Sequence, residues 1–343
     1  MGPDLQLVIH GRGNAWPVSL GETHPFYNRN DPRDLSNAAF SLVASDGDQI
    51  LADVLVDAGH GTIQSLISGS NRIPHSICLT HGHMDHTLSV DWVVQSFWRQ
   101  HEKQKLYPVY ATTSVYQFLV RSYPHLEPLI EFRELRPGVT VQMDHAPSFK
   151  LTAYPVYHGK SAVGASMLLF ETAKSRVLFT GDLLSPLLRR RDYQQLKGVD
   201  LLVVDTNNRF PWPRTNHWSF AGHPENPLER SEVLQSFLEK LTWEDVTAPH
   251  EGANSRLPST VYFQQLKSEW DLARQPFTLL EFLKMMEPQQ VVMVHYSGAE
   301  DLKYYSESVF TASQLSSWAI RTAESVGLSS KLIVPNTGQV IPI

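Results

Sequence analysis

Along the first part of the chain, apolar positions recur with the two-residue period of half-buried strands. Leu5, Leu7 and Ile9 alternate with other residues and stop at Gly11-Arg12-Gly13. Residues 38–44 and 50–56 predict two further strands joined by the turn Ser45-Asp46-Gly47-Asp48. Asp57-Ala58-Gly59-His60-Gly61 breaks that pattern, and a short helix is expected over 63–67. The apolar run Ile77-Cys78-Leu79 reads as a buried strand. After it the period changes, because Val90, Val93, Val94, Phe97 and Trp98 share one face of a helix. A strand over 109–111 follows, then a helix capped by Thr113 or Ser114 and running to Arg121. Five more strands are expected over 131–135, 140–143, 150–156, 167–170 and 176–180, with Pro137-Gly138 turning the chain between the first two. Residues 201–204 form an unbroken apolar strand ending at Asp205. Helical spacing returns at Leu234, Phe237, Leu238 and Leu241, and again around Leu279, Phe282 and Leu283. A strand over 291–294, a helix near 313–323 and a strand over 331–334 close the chain.

Strands in meanders early and strands alternating with helices later predict a layered α/β architecture, α+β by some schemes. Neither a Ser/Gly-rich linker nor a repeat divides the chain, so residues 1–343 are expected to form one domain. Three stretches show no periodicity: 14–35, with Pro17, Pro25 and Pro32; 206–226; and 244–276, with Pro249, Pro258 and Pro276. The first two read as loops over a site and the third as an insertion covering it.

Composition narrows the class. Apolar residues make up 42% and charged residues 19%, enough for a sizeable core. No run approaches the ~18 apolar residues of a membrane span. The single cysteine, Cys78, excludes an internal disulfide framework and fits a reducing compartment. With a start, Met1-Gly2-Pro3-Asp4, that lacks the basic and apolar regions of a secretory signal, it predicts a cytoplasmic protein. The net charge of −6 argues against a general nucleic-acid coat, although two bound cations would reverse the sign locally.

The chemistry concentrates in Thr80-His81-Gly82-His83-Met84-Asp85-His86, directly after the buried strand at 77–79. Three imidazoles and a carboxylate within six residues point to a metal site: His81 and His83 can reach one ion, and Asp85 and His86 a second. Three later strand ends carry further donors, His158, Asp182 and His295.

This order of donors resembles the metallo-β-lactamase fold superfamily, over nearly the whole length. The matching pieces are Asp57-Ala58-Gly59, the histidine cluster, His158, Thr180-Gly181-Asp182, Val294-His295 and Val334-Pro335-Asn336-Thr337-Gly338-Gln339. The resemblance implies a four-layer αββα sandwich with a dinuclear centre at one sheet edge. It puts the first metal on His81, His83 and His158 and the second on Asp85, His86 and His295, with Asp182 bridging and Asp57 beneath. Two divalent ions are expected, zinc first, with manganese or iron as substitutes. Such a pair would activate a bridging hydroxide and polarise an electrophile, with Asp85 placed to hold a proton during turnover. The lone cysteine is not at a ligand position, so lactamases with a cysteine ligand do not fit.

Within the superfamily the chain is most similar to the ribonuclease Z and cyclic-nucleotide phosphodiesterase branch. The similar pieces are Val199-Asp200-Leu201-Leu202-Val203-Val204-Asp205 and the segment His217-Trp218-Ser219-Phe220-Ala221-Gly222-His223, followed by a helix. In those relatives a histidine near this place assists the leaving group, so His217 and His223 are candidate catalytic residues here. Where the relatives have a glutamate-bearing strand end, this chain has Asp205-Thr206-Asn207-Asn208. Arg189-Arg190-Arg191 is a candidate phosphate contact or a solvated face, and Phe210, Trp212 and Trp218 are candidates for base stacking or for packing. A basic, glycine-rich arm of the kind that grips transfer RNA is not evident. The expected substrate is therefore a small phosphodiester or nucleotide, such as a cyclic nucleotide, or RNA, and the resemblance implies a homodimer. The alternative is a lactone or other carboxyl-ester hydrolase, with Tyr154, Tyr157 or Tyr296 polarising a carbonyl. A non-catalytic, metal-stabilised binding protein is a third reading, disfavoured because structural zinc sites are closed and usually single.

Overall fold

Two twisted sheets face each other across a shared apolar layer. A computed structural model of the chain describes residues 3–144, 146, 149–211, 216–250 and 259–343. The first sheet is built from β1 (Asp4–Gly11), β2 (Ala39–Asp46), β3 (Gln49–Val56), β4 (Ser76–Cys78), β5 (Tyr107–Ala111) and β6 (Ile130–Glu134). The second takes β7 (Thr140–Gln142), β8 (Lys150–Tyr157), β9 (Ser166–Glu171), β10 (Arg176–Phe179), β11 (Ser185–Pro186), β12 (Leu201–Asp205), β13 (Gln290–Val294) and β14 (Lys331–Ile333). The last strand, β15 (Val340–Pro342), returns to the first sheet. The strand orders are β15-β1-β2-β3-β4-β5-β6 and β11-β8-β9-β10-β12-β13-β14, with β7 paired to β8.

Side-chain alternation makes the layers. Leu5, Leu7, Ile9, Leu42 and Val54 of the first sheet meet Leu168, Phe170, Val177, Phe179, Leu201 and Val203 of the second in the central core. The residues between these point the other way: Met167, Leu169, Leu178, Leu202 and Val204 pack under the helices Leu279–Met286 and Ala312–Ser325. On the far side, Leu55, Ile77, Leu79 and Val109 pack under Val90, Val93 and Val94 of the helix Val90–Gln100 and Val115 and Leu119 of the helix Thr113–Ser122. This is the αββα sandwich. Strands such as 201–204 read as unbroken apolar runs because both of their faces are covered.

Phe170 measures the central layer. It is 1% exposed, with ring centroids of Phe149 and Phe179 at 6.0 and 5.5 Å. Phe170→Ala should cost about 3–5 kcal/mol, a large part of a domain's net stability, and chemical denaturation should show it as a lower midpoint at unchanged slope.

Strand direction places the chemistry. β3, β4 and β5 are mutually parallel in the first sheet, as are β10, β12 and β13 in the second. β8 runs antiparallel to β9, and β9 to β10, so β8 points the same way as β10. Asp57, the His81–His86 segment, His158, Asp182 and His295 follow the carboxyl ends of these strands, and Asp205 is the last residue of β12. Such ends leave unpaired backbone and room for a ligand, the general position of sites in α/β sheets.

Some elements escape a reading of periodicity. β15, three residues long, was not expected and pairs antiparallel with β1, with Val8 opposite Val340. The helix Gly298–Tyr305 was likewise not expected. The stretch 244–276, expected as a covering insertion, contains the helix Ser259–Glu269, and the helix Trp243–Thr247 lies at its start; residues 251–258 lie outside the described residues. Its side chains join Tyr157, Leu184 and Leu187 in a satellite core, while His250 Nε2 donates to Val156 O at 2.9 Å. The 14–35 loop is tied down by buried contacts: Arg12 to Asp34, His24 Nε2 to Asp301 Oδ2 at 2.7 Å, and the Tyr27 hydroxyl to Tyr296 O. Among the described residues no helix is long and apolar enough to cross a membrane.

Candidate metal centre

The histidine cluster runs from the loop after β4 into the short helix Met84–Thr87, and Asp57, just after β3, anchors it. Asp57 Oδ1 accepts from Thr80 N at 2.8 Å, and its Oδ2 accepts from Thr80 Oγ1 at 2.7 Å and from His86 Nδ1 at 2.8 Å. A carboxylate on Nδ1 leaves His86 Nε2 free to ligate. His158 Nδ1 is held in a similar way, donating to Asn216 O at 2.8 Å, whereas His295 Nδ1 faces Asp205 Oδ1 at 3.3 Å without a hydrogen bond.

The Nε2 atoms of four of these rings converge on Asp182. His81 Nε2 and His158 Nε2 lie 3.7 and 3.6 Å from Asp182 Oδ2. His86 Nε2 and His295 Nε2 each lie 3.2 Å from the other oxygen, Oδ1. Asp85 Oδ2 is 3.4 Å from His86 Nε2 and 3.5 Å from His295 Nε2. Three donor groups result, His81 with His83 and His158, Asp85 with His86, Asp182 and His295, and, overlapping the second, Asp182 with Asp205, His217 and His295, the donor atoms within each group lying within 4.8 Å of one another.

These atoms are shaped for cations. His81, His86 and His295 each bury an Nε2 with no hydrogen-bond partner, a costly arrangement unless something else occupies the lone pair. Burial lowers the pKa of His81, His83 and His158, that of His158 to about 3, which keeps those rings neutral as ligation requires. Burial works the same way on His86 and His295, but the surrounding carboxylates outweigh it, Asp182 first, and raise His86 well above its usual value and His295 to about 10. Burial would raise Asp182 and Asp85, yet the adjacent imidazoles hold both well below the carboxylate range. Asp57 and His295 both adopt left-handed backbone, with φ of 57° and 62°, so the site's two sides each hold a non-glycine residue in a sparsely populated conformation.

The structure separates His217 from His223. His217 Nδ1 donates to Asp205 Oδ2 at 2.8 Å, and its ring centroid lies 4.5 Å from that of His158 and 5.1 Å from that of His295. It is carried there because Trp218 N donates to Leu183 O and Phe220 N to Asn208 O, which pins the 216–220 segment under the strand ends. His223 does not join the cluster. Its Nδ1 accepts from Glu225 N at 3.2 Å in a turn closed by His223 N donating to Glu229 O.

Asp205 is a member of this cluster that reading the sequence did not single out. Its carboxylate touches both His217 and His295, and although burial opposes ionisation those two rings hold its pKa below the usual value. The available signal was a carboxylate ending an apolar strand, the pattern of Asp57 and Asp182.

Other candidates resolve as packing. Trp218 is fully buried against Phe282, and Phe210 meets Trp318 edge-on, so neither offers a stacking face; Trp212 lies outside the described residues. Arg189 is not a solvated or phosphate-binding residue: it is buried, paired with Asp192 at 2.8 Å and stacked 4.0 Å over the Tyr262 ring. Tyr154 donates to Gln195, Tyr157 lies in the satellite core, and Asp301 beside Tyr296 belongs to the 14–35 anchor, so none of the three tyrosines is aimed at the donor sets.

A family model described as the beta-lactamase superfamily domain matches residues 53–226. Endoribonuclease YSH1 of Mycosarcoma maydis is 27% identical over 120 residues, which are 31% of this chain and 13% of that protein. The chain therefore spans 13% of the length of the curated relative it matches. Among solved structures, a diphosphatase from the PhnP family superposes with a TM-score of 0.58 at 15% identity, over 100% of this chain and 98% of that one. The short form of human tRNase Z gives a TM-score of 0.52 at 12% identity, with 98% of each chain covered. These likenesses establish the shared fold.

Proposed function

This chain belongs to the beta-lactamase superfamily, and from that premise we propose that it is a dinuclear metal-dependent phosphodiesterase, acting on a small phosphodiester such as a cyclic nucleotide, or on RNA. What carries the reading is the opposed arrangement at Asp182, with one pair of imidazole Nε2 atoms facing each carboxylate oxygen. His81, His83 and His158 would hold one ion and Asp85, His86 and His295 the other, with Asp182 shared. Imidazole and carboxylate donors without a thiolate suit zinc, and also manganese or iron. Two bound divalent ions would supply Lewis acidity that activates water near neutral pH and polarises a phosphoryl oxygen.

The chain's own residues do the rest. Asp57 fixes the tautomer of His86, and Asp205 faces His295 Nδ1. Asp85, at the edge of the second set, is held ionised by His86 and His295 and is placed to accept a proton during turnover. His217 is partly exposed and backed by Asp205, so its ring is placed to give a proton to a leaving oxygen. The names of the similar proteins, an endoribonuclease, a tRNase and a diphosphatase, all refer to cleavage at phosphorus and support that substrate class over carboxyl esters. A reducing, cytoplasmic setting and a homodimer belong to the same proposal.

Bis(p-nitrophenyl) phosphate and a lactone, assayed side by side with added zinc or manganese, test it. Turnover of the phosphodiester is expected. Turnover of the lactone alone would sink the phosphodiesterase reading in favour of the carboxyl-ester alternative, and turnover of neither would favour a binding protein.

A further inference from the structure

Between His158 and β9 the chain makes a six-residue excursion, 159–164, beside the first donor set. Glycines with φ of 83° and 70°, Gly159 and Gly164, bound it. A Cβ on Gly159 would come within 2.9 Å of the Asn216 side chain, and one on Gly164 within 2.5 Å of Thr112 Oγ1. Thr112 Oγ1 donates to Gly164 O at 3.1 Å, Gly164 N donates to Pro249 O at 3.0 Å, and Ala162 is buried. The backbone is thus held from both sides, and the side chains it leaves in solvent are Lys160 and Ser161.

Ser161 Oγ lies 3.4 Å from Nε2 of His83, the partly exposed member of its donor set. That side of the centre is therefore its open side. The Ser161 hydroxyl thus sits on the exposed rim of the first donor set, where its proton can turn from His83 toward an anion that enters beside the site. Lys160 Nζ pairs with Asp245 Oδ1 at 3.0 Å, but the lysine side chain is 76% exposed, and an ion pair so placed is exchanged at little cost. Neither residue belongs to a donor set.

We propose that the 159–164 loop is an anion-holding element of the site, in which the Ser161 hydroxyl donates to a non-bridging oxygen of the substrate's phosphoryl group and Lys160 leaves Asp245 to neutralise that group. The inference rests on the phosphodiesterase reading and narrows it to substrates that keep an anionic oxygen at the reacting centre. A lactone offers none.

The test uses the zinc-loaded full chain with inorganic phosphate as the binding probe, by calorimetry, and bis(p-nitrophenyl) phosphate as the substrate. Ser161→Ala and Lys160→Ala should keep the zinc content of the unmodified chain while the dissociation constant for phosphate rises roughly tenfold or more, as for a lost hydrogen bond to a charged group. KM should rise more than kcat falls. Ser161→Thr, which keeps the hydroxyl, should restore binding, and Asp245→Asn, which frees Lys160, should bind phosphate at least as tightly as the unmodified chain. Variants that bind phosphate and turn over the diester like the unmodified chain would overturn the role of the loop alone. An unmodified chain that takes up zinc yet neither binds phosphate nor cleaves the diester would overturn the phosphodiesterase reading itself.

Discussion

An Asp182→Ala variant is expected to lose its second metal ion and its turnover together. The carboxylate is buried and shared, with Oδ2 facing His81 and His158 and Oδ1 facing His86 and His295. Deleting it removes the group that ties the two donor sets together and the first of the charges that offset the burial of His86 and His295. Outer-shell partners of metal ligands are worth roughly 10–100-fold in affinity or activity, and a shared carboxylate in the inner set should exceed the upper end of that range. Metal content by elemental analysis and kcat on bis(p-nitrophenyl) phosphate would be read on the same preparation, with circular dichroism to establish that the sandwich persists. Two ions per chain and full turnover in the variant would dismantle the centre described above.

Metal uptake should depend on pH through one donor set and not the other. A histidine must give up its Nε2 proton to ligate, so a raised pKa is a competition between proton and metal. His81, His83 and His158 have lowered values, with burial as the leading cause, and are neutral at and above pH ~6.5, the unperturbed value for histidine. His86 and His295 are raised, burial being outweighed by Asp182 and its neighbours, His295 to about 10, so both carry protons at neutral pH without metal. Acid therefore weakens the second set, and its affinity should climb with pH through the neutral and alkaline range. With two protons displaced per ion the slope approaches about 100-fold per pH unit, whereas the first set stays flat. Zinc titrations against a competing chelator, repeated in buffers of different ionisation enthalpy, would show two classes of site and up to two protons released at the weaker one. A single class with no proton release would contradict the charge arrangement around Asp182.

The ligand cluster was legible because its donors are contiguous and follow an unmistakable buried strand. Four side chains within six residues cannot scatter far in space, whatever the fold does. His158, Asp182 and His295 were legible for a related reason, since each ends an apolar run and strand ends collect along one edge of a parallel sheet. His217 and His223 are only six residues apart on a segment without periodicity, and nothing local distinguishes them. Asp205 does, by reaching His217 and leaving His223 to its turn with Glu225 and Glu229. Arg189 misleads for the converse reason: three consecutive arginines suggest a solvated face, but Asp192 and Tyr262 bury the first of them.

By itself the sequence determined the layers and the donor identities, because strand and helix periods follow from backbone geometry and ligand chemistry follows from residue type. It also marked residues 201–204 as an unbroken apolar strand, which the structure covers on both faces. The pairing across the two sheets belongs to the tertiary structure alone. Asp57 from one sheet and Asp205 from the other face the rings of His86 and His295 that meet at Asp182, and no spacing along the chain encodes the meeting of two rings 209 positions apart. The tertiary structure likewise decided which side of the centre is open, by burying His81 and His86 and leaving His83 beside Ser161. The reason is physical: periodicity records which face of an element is buried, but not against what.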